Sequence, residues 1–85
     1  MELPPDIERQ VLAYLHLEYG ESPRQPGALK AADLHYEGEF LVDGTPTHFW
    51  SYPSSTHAMW ATVAPMLGTY AIGMTGTSPR DLRRA

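Results

Sequence analysis

The sequence predicts an α+β fold, one N-terminal helix packed on a four-stranded antiparallel meander in the order α-β-β-β-β. Three observations predict it. Apolar residues recur at helical spacing through Ile7, Val11, Tyr14 and Leu15. From Lys30 to Val42 the apolar period falls to two. Beyond that, Asp43-Gly44 and the Pro-Ser-Ser-Thr stretch at 53–56 cut the chain into segments of strand length.

The helix is expected over residues 5–19. A proline in the first turn lacks an N–H that would be orphaned there anyway, so Pro4-Pro5 suits a helix start. Asp6 and Glu8 bring negative charge to the positive end of the helix dipole. Leu12 widens the apolar stripe. Glu8, Arg9 and Gln10 fall on the opposite face, and His16 is expected to face solvent. Gly20 ends the helix, and residues 20–29, with paired glycines and prolines, read as a loop.

The first strand is expected over residues 30–42. Ala32, Leu34, Tyr36, Phe40 and Val42 alternate there with Asp33, His35, Glu37 and Glu39. Gly38 occupies one apolar-face position and marks a bend or bulge. Asp43-Gly44 is a strong hairpin signal. The second strand follows at 45–52, the third at 57–64 and the fourth at 67–74, with Pro65-Met66 as the last tight connection. The domain spans residues 1–79, and 80–85 form a basic C-terminal tail. This element order resembles the α-then-four-β arrangement of cystatin-like folds. The likeness covers order alone, rests on no sequence motif and implies no function.

Pairing register decides which side chains share a face. A four-residue loop at 53–56 sets Trp50 opposite Met59 and Phe49 opposite Trp60. One face then holds Trp50, Tyr52, Met59, Val63, Tyr70, Ile72 and Met74. The other holds Thr47, Phe49, Ala58, Trp60, Thr62, Thr69 and Ala71. A two-residue Asp-Gly turn joins Tyr36, Phe40 and Val42 to the Phe49 face; a three-residue loop with a bulge joins them to the Trp50 face. The second separates apolar from mixed residues more cleanly and is the register expected.

Composition narrows the function classes. Eighty-five residues make one domain. The absence of cysteine excludes disulfides, thiolate metal sites and cysteine nucleophiles. The first ten residues lack the basic and apolar regions of a signal peptide, and no apolar run is long enough to span a membrane, so a cytoplasmic protein is expected. The formal net charge is −4. Arg9, Arg24 and Lys30 face nine acidic residues before position 80, and Arg80, Arg83 and Arg84 accompany Asp81 after it. An acidic body argues against nucleic acid and suits a protein partner.

No motif specifies a reaction, the reading leans away from an enzyme, and no cofactor is implied. Phe49 and Trp60, paired among Thr47 and Thr62 and flanked by Glu37 and Glu39, form an aromatic sheet face that one short helix leaves open. Open apolar patches with tryptophan mark interfaces. The expected function is therefore protein binding, as an inhibitor, immunity-type factor or accessory subunit, with another protein or a second copy as partner. The alternative is a small-ligand or metal-binding domain, possibly enzymatic, using His35, Glu37, Glu39 and His48 with His57 at the rim. That set gathers only if the Asp-Gly turn has two residues.

Overall fold

The computed structural model describes residues 3–54 and 58–85. It has the predicted α+β architecture: a helix α1 (Ile7–Glu18), then strands β1 (His35–Val42), β2 (Thr45–Ser51), β3 (Trp60–Met66) and β4 (Thr69–Thr75). Among the described residues these strands form one antiparallel sheet in the order β1-β2-β3-β4, so β1 and β4 are its edges. Single 3-10 turns lie at Ala31–Asp33 and Pro79–Asp81. Among the described residues no helix is long and apolar enough to cross a membrane.

The helix begins two residues later than expected because Pro4 and Pro5 form a turn, with the Ile7 amide donating to the Pro4 carbonyl. Its stripe of Ile7, Val11 and Leu15 packs on Trp50, Tyr52, Ala61 and Val63, with Leu34 closing one end. Three side-chain bonds fix its position. Trp50 Nε1 donates to Glu8 Oε2 at 2.9 Å, Tyr70 Oη donates to Gln10 at 2.5 Å, and the Tyr19 and Tyr52 hydroxyls meet at 2.7 Å. Glu8 is exposed, as the stripe predicts, and Gln10 is half-buried; both nonetheless tie the helix to the sheet through these bonds.

His16 is buried, contrary to its expected exposure. Residues 20–29 fold back on the helix: the Leu29 carbonyl accepts from His16 Nε2 at 2.7 Å, and the Leu29 amide donates to Glu21 at 3.2 Å. The first strand also starts later than expected. Asp33 accepts from the Lys30 amide at 2.9 Å and turns Ala31–Asp33 into a 3-10 segment before extension begins.

The β1–β2 register differs from the preferred one. The turn has two residues, Val42 opposing Thr45. Asp43 and Gly44 take φ of 49° and 81°, the doubly left-handed geometry that matches hairpin twist. The bulge lies mid-strand, where pairing slips between Tyr36↔Trp50 and Gly38↔Phe49. Gly38, at φ of 122°, supplies the conformation this slip requires. The slip divides β1. Phe40 and Val42 join the Phe49 face, while Tyr36 stays with Trp50.

Pro65 and Met66 belong to β3, and the last turn is Leu67-Gly68. Continuing the β2–β3 ladder past its final pair, His48↔Val63, would set Pro46 opposite Pro65. Neither has an amide to donate, so that ladder ends there while β3 continues with β4.

Candidate functional site

The strand β2 is buried at four consecutive positions, Thr47 to Trp50. A run of this kind means cover on both faces. The helix covers the face of His48 and Trp50. Residues 76–85 account for the other. They leave β4 at one edge and end beside β1 at the other, where the Leu41 amide donates to the Arg83 carbonyl at 2.7 Å and the Ala85 amide to the Glu39 carbonyl at 3.0 Å. The segment therefore crosses the sheet. Arg84 lies over the Phe40 ring, 5.2 Å from its centroid, and Pro79 is buried along the way, which sets the crossing on the face of Phe40 and Phe49. Those two rings pack edge-on at 5.6 Å. They make a thin second apolar layer in a chain whose length suggests a single core.

The expected binding residues are therefore not one open surface. Phe49 is 1% exposed and Thr47 is buried, its hydroxyl donating to the Thr45 carbonyl. Trp60 and Thr62 are half-buried on the same face, with Trp60 opposite Ser51 and not opposite Phe49. Glu37 is exposed at the bulge and accepts from Ser51 Oγ at 2.7 Å. Glu39 lies on the helix face, paired with His48.

The residues of the alternative site separate as well. The bulge breaks the alternation that would align His35, Glu37 and Glu39. His35 sits opposite Ser51, and Glu39 stands beside His48, 3.7 Å from its Nε2. Among the described residues no group of three or more His, Asp or Glu side chains is placed to hold a metal ion. His57, expected at the rim, lies outside the described residues.

What the bulge does assemble is a small network at the open end of the helix face. His48 Nδ1 meets the Tyr36 hydroxyl at 2.8 Å. Both rings lie against Trp50, with centroids 5.2 Å (Tyr36) and 6.3 Å (His48) away. Partial burial of the Tyr36 ring, reinforced by the charge of Glu39, pushes its phenol up from the ordinary value. His48 Nε2 is shut from solvent and has no hydrogen-bond partner among the described residues, since 3.7 Å to Glu39 is beyond bonding range. A base so enclosed cannot reach a substrate proton unless the site opens. The arrangement secures the start of β1 against β2 more readily than it performs acid–base chemistry.

The two edges of the sheet differ sharply. In a hairpin with a two-residue turn, the pair flanking the turn exchanges its backbone bonds inward and alternate residues point outward. On β1 this rule makes Glu39 and Leu41 outward-facing, and those are the residues that bond the C-terminal segment. The β1 edge is thus occupied, bulged and acidic. On β4 the same rule turns Thr69, Ala71, Gly73 and Thr75 toward β3 and leaves Tyr70, Ile72 and Met74 facing outward. No backbone bond from outside the hairpin meets them among the described residues. This edge has no charge, no proline and no break in register. Beside it stand the exposed apolar residues Leu17, Met66 and Leu67. Leu17 lies two helical turns beyond Gln10, which bonds Tyr70 of β4, and so shares that flank. Composition and alternation did not single out this side, because β4 owes its edge position to the meander order, and the blocking of β1 depends on the path of the chain end.

Comparisons with protein-family models, with curated proteins and with solved structures find no match.

Proposed function

We propose that the protein is an acidic, cytoplasmic protein-binding module, of the inhibitor, immunity-type or accessory-subunit kind, that meets its partner on the β3–β4 side of the sheet. The observation that carries the reading is the asymmetry of the edges. Exposed edges are ordinarily protected by charge, proline, a bulge or a covering segment. The β1 edge has a bulge, two acids and a covering segment, and among the described residues β4 has none of these. An edge of this type takes an added strand, with the backbone supplying affinity and flanking side chains supplying selectivity. Leu17, Leu67 and Tyr70 are the flanking groups on the helix side and at the turn. Trp60 and Thr62, half-exposed on the opposite face, extend the surface around β3. Phe49 lies beside Thr62 on that face, buried on β2. Absence of cysteine suits a reducing compartment.

Site-specific photo-crosslinking tests this reading. A photoreactive side chain at position 17 or 67 is expected to give a discrete adduct in the cell of origin. The same group at Tyr36, also exposed but on the far side of the sheet, is expected to give none. Adducts from 36 with none from 17 or 67 would contradict the assignment.

A further inference from the structure

We infer that the open edge of β4 joins two copies of this chain, antiparallel about a twofold axis through Ile72, so that two four-stranded sheets become one continuous sheet of eight. The inference rests on the reading of the β4 side as the interaction surface and names its partner.

The backbone geometry is self-complementary. Tyr70, Ile72 and Met74 offer three outward amides and three outward carbonyls. A twofold axis at Ile72 sets Ile72 opposite Ile72 of the second copy, and Tyr70 opposite Met74 in both directions. Every outward donor then meets an outward acceptor. An axis displaced along the strand leaves some of them unmatched.

The side chains agree with this register. On the helix face an isoleucine meets an isoleucine and a tyrosine meets a methionine, the apolar cross-strand pairs that stabilise sheets. On the other face Ala71 meets Gly73 and Thr69 meets Thr75, which are small or neutral. A chain of net charge −4 would be expected to repel its own copy, yet β4 carries no charge. The helix flank above it carries one acid, Asp6, which lies at the N-terminal end and accepts from Gln10 Nε2 at 3.1 Å, followed by the uncharged Gln10, Ala13 and Leu17. The strand edges themselves therefore approach without like charges opposed. Because residues 83–85 occupy the other edge, pairing closes at two copies and does not propagate into a fibre.

The natural sequence has no cysteine, so single cysteines report the register. Directly opposed, hydrogen-bonded residues have Cα atoms about 5.5 Å apart, within disulfide range. Ile72→Cys is expected to form a covalent dimer on mild oxidation. Thr69→Cys, displaced from its own copy by roughly 20 Å along the strand, is expected to stay monomeric. Sedimentation of the wild type through the micromolar range is expected to approach twice the 9.5 kDa chain mass. Met74→Pro removes one outward amide per chain and leaves the bonds to β3 in place. It is expected to weaken dimerisation about thirtyfold, the loss of two net backbone bonds per dimer. Met74→Ala keeps the amide and loses only the side-chain contacts with Tyr70 of the second copy, so it is expected to dimerise more tightly than Met74→Pro. If Met74→Pro fails to fold, the two cysteine variants decide.

A wild type that stays monomeric, a dimer that Met74→Pro leaves intact, equal cross-linking from both cysteines, or open-ended high-mass species would each overturn the inference. A monomeric wild type whose position-17 or position-67 probe still captures another protein removes the homodimer and keeps the wider protein-binding reading. A monomer without such adducts removes both.

Discussion

Deleting residues 76–85 is expected to lower stability by roughly 2–3 kcal/mol and to make the protein bind a hydrophobic dye. The deletion uncovers Phe40 and Phe49, both buried in the intact chain. Fully exposing two such rings is worth about 3–6 kcal/mol, and the sheet still shields one side of each, so about half is lost. For a domain of this size the midpoint of thermal unfolding should fall by roughly 8–24 °C. Arg84→Ala is the contrasting variant. It removes only the guanidinium over Phe40, worth about 0.5–1 kcal/mol at an exposed site, and leaves the segment in place. Thermal unfolding and dye binding check both. A deletion that changes neither would mean that something other than this segment covers Phe49.

Trp50→Ala is expected to cost about 3–5 kcal/mol, the usual range for emptying a buried aromatic site. Total stability for 85 residues is on the order of 4–13 kcal/mol, so this variant stands at or near unfolding. Trp50 is 2% exposed and joins three parts of the molecule. It lies within the helix-side core, its indole N–H bonds Glu8 of α1, and its ring supports Tyr36 and His48 beside the bulge. Trp50→Phe keeps much of the volume and loses the donor, so it should fall between wild type and alanine. Glu8→Gln keeps an acceptor for the indole and should change stability by well under 1 kcal/mol. Denaturant titration of the set checks the ranking. If Glu8→Gln matches Trp50→Ala, the charge of Glu8 matters for a reason other than this bond.

Much of the fold is legible from the chain alone. The Ile7, Val11 and Leu15 stripe, the alternation after Leu34 and the Asp43-Gly44 pair are local signals, and the architecture follows from them. The division of β2 and β3 into a Trp50 face and a Phe49 face also follows, because parity survives an error of two residues in the pairing partner. What escaped depends on contacts distant in sequence. His16 looks polar and outward until the Leu29 carbonyl returns to it. Gly38 signals a bulge, but the slip can be assigned to the strand or to the turn, and the sequence favours the turn because the faces then sort more cleanly. Residues 80–85 read as a solvated basic tail, since nothing local foretells that Arg84 reaches Phe40. That one path covers Phe40 and Phe49 on the aromatic face named as the binding surface and blocks one edge, which is why we propose β4 as the interaction surface.

The most direct test of this division into a closed and an open edge is residue-resolved amide hydrogen exchange on dilute protein, where any pairing between chains is released. The predicted result is a slow Leu41 amide, held by the Arg83 carbonyl, and an alternating pattern along β4. Ala71 and Gly73 should exchange slowly, and Tyr70, Ile72 and Met74 should exchange at least tenfold faster, at about the rate of unprotected backbone. A Leu41 amide as fast as those three, or no alternation between the outward and inward residues of β4, would contradict it.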